Sequence, residues 1–106
     1  MFARWTPDGA RDPFPGVTFK TLVHGANTLL TEFHLKGGHT LPRHSHPHEQ
    51  TGYLVSGALR LRVGDRVFEA RPGDAWCIPG NVEHEAQVLE DSVAVEVFAP
   101  VRKEYL

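Results

Sequence analysis

The sequence predicts an all-β fold, a sandwich or barrel, on three observations. No stretch of the 106 residues sustains a helical apolar period. Short runs instead alternate apolar and polar side chains, the pattern of strands with one buried face. Clusters of Gly, Pro, Asn and Asp interrupt these runs every eight to twelve residues or so, a spacing typical of sandwiches and barrels.

The elements follow in order. Residues 1–16, "MFARWTPDGARDPFPG", hold three prolines and two glycines among charged residues, and read as an N-terminal arm. The barrel domain is expected over residues 17–106. "VTFKTLV" ends at His24-Gly25-Ala26-Asn27. "TLLTEFHLK" puts Leu29, Thr31, Phe33 and Leu35 on one face and stops at Gly37-Gly38. "TGYLVS" runs into a turn at Gly57, "LRLRV" turns at Gly64-Asp65 into "RVFEAR", and Pro72-Gly73-Asp74 precedes "AWCI". Pro79-Gly80-Asn81 precedes "EHEAQVLE", and a turn at Glu90-Asp91-Ser92 leads to "VAVEVFAP". Cys77 lies in an apolar run, where a small buried hydrophobe is expected.

Composition narrows the function. A net charge of −2 argues against nucleic acid or an anionic membrane as partner, yet leaves room for a small anionic ligand at a locally positive site. The single cysteine excludes an intramolecular disulfide and fits a reducing compartment. No apolar run is long enough for a signal peptide or a bilayer span, so a cytoplasmic location is expected.

The chemistry concentrates in "HSHPHEQ", residues 44–50. On a strand, His44 and His46 would project from the same side, and two imidazoles so placed can converge on one ion. Further ligands must then come from elsewhere in the chain. His24, His34 and His39 stand alone and read as surface or packing residues.

Gly38, His44, His46, Gln50 and Gly57, at their spacing, resemble the first signature motif of the cupin superfamily. Gly73, Pro79, Asn81 and His84 resemble the second. The resemblance implies a jelly-roll β-barrel (a double-stranded β-helix) with a divalent transition metal, Zn, Ni, Fe, Mn or Co, held by His44, His46, Gln50 and His84. The family's register selects Gln50 over Glu49, and Pro47 turns the chain so that Glu49 faces away. Asn81 replaces a family glycine, and asparagine tolerates the left-handed backbone needed there. Val88 replaces the motif's closing asparagine. Neutral imidazole and amide ligands leave a divalent site at its full charge, which favours a carboxylate- or enolate-bearing substrate.

In "SVAVEVFAP", Val93, Val95 and Val97 share one face while Ala94, Glu96 and Phe98 share the other. Parity alone leaves open which face looks inward. Together with "HSHPHEQ", "VEH" and the final "RKEYL", this ending resembles the small KdgF-type cupins, which open unsaturated uronate rings released from pectin and alginate. That resemblance implies Glu96 as acid/base, Arg102 as carboxylate partner, and Phe98 beside the substrate. His48, in the turn, is a further candidate for touching metal or substrate. The family usually has aspartate where this chain has Glu96. A three-histidine dioxygenase and a non-catalytic sensor of small acids are the alternative functions. The resemblance also implies a homodimer formed through sheet faces and N-terminal arms.

Overall fold

The structure, a computed structural model, describes residues 1–106. Eight antiparallel strands form: β1 Arg11–Phe14, β2 Val17–His24, β3 Leu29–Leu35, β4 Thr40–His44, β5 Glu49–Val63, β6 Arg66–Ala70, β7 Ala75–Ile78 and β8 His84–Ala99. A single 3₁₀ turn, Lys103–Tyr105, follows β8. Strand order is β1-β2-β3-β8-β5-β6, with β4 also paired to β8 and β7 to β5. The two long strands β5 and β8 are therefore the spine on which the shorter ones wrap, as expected for a rolled β-barrel. Part of the expected arm, residues 11–14, pairs with β2. No helix is long and apolar enough to cross a membrane.

The period-2 pattern places the core as anticipated in β3, where Leu29, Thr31, Phe33 and Leu35 are all buried. They meet Val17 and Phe19 of β2, Leu54, Leu59 and Leu61 of β5, and Ala86, Val88, Ala94 and Phe98 of β8. Val88 is thus a core residue.

Two expected turns are not chain reversals. Gly57 lies inside the 15-residue β5, and Glu90-Asp91-Ser92 inside the 16-residue β8. Gln50, Gly52 and Leu54 face inward before Gly57, whereas Leu59 and Leu61 do so after it. A bulge at Ser56–Ala58 supplies the one-residue phase change, letting one strand serve two parts of the barrel wall. Gly and Ser at such a point look like a turn in sequence because a bulge asks for the same backbone freedom.

Gly57 has φ of 93°, and a Cβ there would lie 2.1 Å from Ser92 Oγ and 2.4 Å from the Asp91 carbonyl oxygen. The neighbouring backbone cannot yield as a flexible side chain would. Gly57→Ala is expected to destabilise the fold by roughly 2–4 kcal/mol, the sum of a left-handed penalty and overpacking. For a domain of this size that lowers the melting temperature by at least about 10 °C. A melting temperature within a few degrees of wild type would contradict the bulge's role.

Cys77 corrects an expectation. In β7 the inward residues are Trp76 and Ile78, so Cys77 points outward and is exposed. Four residues were too few to reveal which parity faced the core.

The C-terminal tail is tied to the barrel by the arm. Arg11 donates from Nη1 to the Glu104 carbonyl and from Nη2 to the Leu106 carbonyl, both at 2.6 Å. Thr21 Oγ1 donates to the Tyr105 carbonyl. The Tyr105 ring packs on Phe19 and meets Phe98 edge-on. These contacts hold Arg102 beside the histidine cluster described next.

Candidate metal centre

His44 closes β4 and is registered directly opposite His84, the first residue of β8. Their rings lie 4.3 Å apart, and His46 stands 4.9 Å from His84 and 5.6 Å from His44. One ligand nitrogen from each ring can be chosen so that all lie within 4.8 Å of one another. His46 lies past the end of β4, in the connection to β5. Its ring nevertheless falls on the same side as that of His44, two residues before it, and the chain bends only afterwards, at Pro47–His48. That bend leaves Glu49 exposed and Gln50 buried. Asn81, at φ 66°, adopts the left-handed conformation expected of it and donates its N–H to the His46 carbonyl, joining the two motif segments.

All three rings are oriented alike. Nδ1 of His44 faces the Pro42 carbonyl at 2.8 Å, that of His46 the His48 carbonyl at 3.0 Å, and that of His84 the Val82 carbonyl at 2.8 Å. A carbonyl only accepts, so each Nδ1 carries a hydrogen, and a ring in its neutral form presents a lone pair at Nε2. The Nε2 of His84 is buried with no hydrogen-bond partner. Burial, then the Arg102 charge and His84, push the His46 imidazolium pKa down to about 4. Burial likewise lowers that of His84. Both rings are therefore neutral near pH 7.

Gln50 sharpens the geometry. Its Oε1 lies 3.0 Å from His46 Nε2, while its Nε2 donates to Glu96 Oε1 at 2.6 Å. Two lone-pair acceptors at this distance are suited to sharing one cation beside them, each at a bond of about 2.1 Å. With the ring neutral, a proton is not available for that part. An orphaned nitrogen, three aligned imidazoles and an inward amide oxygen together fit a divalent transition metal.

On β8 the face open at the level of sequence is settled: Ala94, Glu96 and Phe98 look inward. Glu96 also accepts from Trp76 Nε1 at 3.0 Å. Desolvation raises its pKa, against the opposing effects of Gln50, Trp76 and Arg102. Phe98 is 1% exposed and wedged between His46 and Tyr105, so it offers a substrate no free surface. Arg102 is not the solvated terminal arginine that its position allows. Its guanidinium carbon lies 5.2 Å over Phe98 and 4.2 Å over Tyr105, and Nε donates to Glu104 Oε1 at 2.9 Å. His48 is half-buried outside the three-ring cluster, with an unpartnered Nδ1. His34 pairs with Glu32 on the surface, away from the site.

A cavity of about 50 Å³ reaches this centre, lined among others by His44, Gln50, Trp76, His84 and Glu96. The largest depression, about 890 Å³, lies between the arm and the Lys36–His39 loop and contains none of the three converging histidines. Chemistry, and not size, identifies the site.

The comparisons agree with this geometry. Residues 31–100 match the cupin domain family. The chain is a cupin. This cupin superposes on the structure of KdgF from Halomonas sp. with a TM-score of 0.87 at 30% identity, covering 92% of this chain and 90% of that one. An RmlC-like cupin from Shewanella frigidimarina shares the fold, with a TM-score of 0.86 at 22% identity over 92% and 87% of the chains. The polyketide cyclase RemF from Streptomyces resistomycificus gives 0.71 at 27% identity over 89% and 68%. No curated protein matches the chain in sequence.

Two contributors to the site carried no signal of their own in the sequence, Trp76 and Glu104, while Tyr105 entered only as part of the ending "RKEYL". Gly52 was the one available clue, since a glycine at an inward position of a strand marks something packed closely against the backbone.

Proposed function

We propose that this cupin is a metal-dependent isomerase that opens the ring of unsaturated uronate sugars. The observation that carries the reading is the inward carboxylate of Glu96, one hydrogen bond from Gln50 and near the aromatic-stacked Arg102. The likeness to KdgF from Halomonas supports it.

In this reading His44, His46, Gln50 and His84 hold a divalent cation. The cation supplies Lewis acidity toward an oxygen of the substrate, undiminished by any anionic ligand. Opening a cyclic uronate with a C4=C5 double bond is a net isomerisation. The C1 hydroxyl loses its proton, the C1–O5 bond breaks, O5 becomes the C5 ketone and C4 gains a proton. Glu96 moves that proton at Oε2, the carboxylate oxygen left without a hydrogen-bond partner. Its burial favours the protonated form, so it can return a proton as well as take one. Arg102 binds the substrate carboxylate through its terminal nitrogens, Nε being occupied by Glu104. Phe98 and Tyr105 fix the guanidinium plane, and His48, its ring 5.6 Å from that of His46, stands behind the metal ligands.

The test is turnover: wild-type protein of measured metal content, given unsaturated uronate monomers, is expected to abolish the ultraviolet absorbance of the conjugated enol acid. Unchanged absorbance with fully metallated protein would remove this function. Arg102→Lys is expected to raise KM at least about tenfold with a smaller change in kcat, because a lysine neither lays a planar cation against the Phe98 and Tyr105 rings nor binds a carboxylate bidentately. An unchanged KM would take Arg102 out of substrate binding.

The proposal extends to a homodimer. On the outer sheet face Tyr53 is the cross-strand neighbour of Val95, with Val55, Val93 and Val97 nearby, an apolar strip on which a second copy can pack. Sedimentation at twice the monomer mass is expected, reverting to the monomer in Val95→Asp; a monomeric wild type would end the idea.

A further inference from the structure

Trp76, Gly52 and Glu96 occupy one cross-strand row. Gly52 of β5 is paired with Trp76 of β7 on one side and with Glu96 of β8 on the other. The outer two strands are therefore roughly 9–10 Å apart, two inter-strand spacings. A side chain on the middle strand would normally separate them. Here there is none: a Cβ on Gly52 would come within 2.2 Å of Trp76 Cε2 and Nε1. The indole lies on the bare backbone of Gly52 and reaches across β5 to Glu96 Oε1.

The indole N–H is a donor only, so the oxygen it touches must accept. Gln50 approaches the same Oε1 and, where that oxygen carries no proton, presents its NH₂ there, which turns its own Oε1 toward His46. Both donors use one carboxylate oxygen, which leaves Oε2 without a partner. We infer that Trp76, seated on Gly52, is a positioning residue that sets the Glu96 carboxylate and, through it, the amide orientation of Gln50 at the metal centre. Neither residue need touch the substrate. Their effect runs through one shared oxygen, where a loss at Trp76 is felt at both the proton-transfer group and the metal ligand. The kinetic consequence rests on the ring-opening reading; the geometric claim does not.

The experiment uses the full chain and zinc as probe. The protein has two tryptophans, so Trp5→Phe leaves a single indole N–H signal, that of Trp76, in a ¹⁵N-correlated spectrum. Adding Glu96→Ala is expected to move this signal upfield and to quicken its exchange with solvent, since the acceptor is gone. Trp76→Phe keeps the ring and removes the donor. It is expected to weaken zinc binding about tenfold or more, the usual cost of losing a partner behind a ligand. It should lower kcat on an unsaturated uronate by about ten- to a hundredfold, with KM within about threefold. An indole signal blind to Glu96→Ala overturns the inference, and so does a Trp76→Phe protein with wild-type zinc affinity. The spectrum of Trp5→Phe with and without Glu96→Ala stands even if Trp76→Phe fails to fold. Should the wild type turn over no uronate, the ring-opening reading fails alone, and the indole signal and zinc affinity still decide the role of Trp76.

Discussion

His84→Ala is expected to abolish stoichiometric binding of a divalent cation while leaving the barrel folded. His84 begins β8, is 5% exposed, and holds the one buried ring nitrogen of the cluster that has no partner in the protein. A buried acceptor left unsatisfied costs about 1–3 kcal/mol, a burden that persists only where something else satisfies it. An ion does so, and it also relieves the facing lone pairs of His46 Nε2 and Gln50 Oε1. Loss of partners behind a ligand already costs ten- to a hundredfold in metal affinity, so loss of a ligand is expected to cost more than about a hundredfold. Folding should change by no more than about 1–2 kcal/mol, because alanine removes the orphan nitrogen together with the packing of the ring. Competition against a chromophoric chelator with zinc or nickel reads the affinity, and circular dichroism the fold. His34→Ala, an exposed ring paired with Glu32, serves as the control and should bind as wild type does. Equal affinity in the two variants would show that the three rings are packing residues and hold no ion.

The difference between His34 and His84 marks what the sequence could reveal. Spacing of Gly38, His44, His46, Gln50, Gly57, Gly73 and His84 carried the fold and the converging rings, because glycines at bulges and turns fix where a strand can bend. Period-2 burial was equally legible in β3, where every inward residue is apolar or Thr31. On β8 both faces offered small or apolar residues, Val93 and Val95 against Ala94 and Phe98, so hydrophobicity could not choose between them. The choice came from tertiary pairing, with β3 and β5 on either side of β8. The roles of Trp76 and Tyr105 escaped for a related reason. Trp76 acts on the distant Glu96 through a glycine gap, and Tyr105 is held against Arg102 by its packing on the distant Phe19, arrangements that exist only once the chain closes. Gly57 shows the opposite error: a local turn signal was real, but the barrel used its backbone freedom for a bulge.

Glu96→Gln is expected to lower kcat on an unsaturated uronate by about a hundred- to ten-thousandfold, the usual range for a positioned proton-transfer group. Glutamine keeps the length and an oxygen acceptor at the Oε1 position, so Trp76 and Gln50 retain their hydrogen bonds and the metal content should not change. Arg102 is untouched, which keeps KM within about threefold. A second readout separates chemistry from damage. Burial raises the Glu96 pKa in the folded protein above its unfolded value. An acid shifted in that direction binds its proton more tightly in the folded state, so stability falls as pH climbs from the unfolded pKa through the folded one. Glutamine carries no such penalty. In chelator-treated protein, Glu96→Gln should therefore melt no lower than wild type at neutral pH, and the gap should close toward acidic pH, where both side chains are neutral. Activity would thus fall as stability holds or rises, the trade expected of a buried carboxylate kept for function. A kcat within about threefold of wild type would remove Glu96 from the chemistry. A melting temperature well below wild type at neutral pH would show instead that the carboxylate is there to hold the barrel wall together.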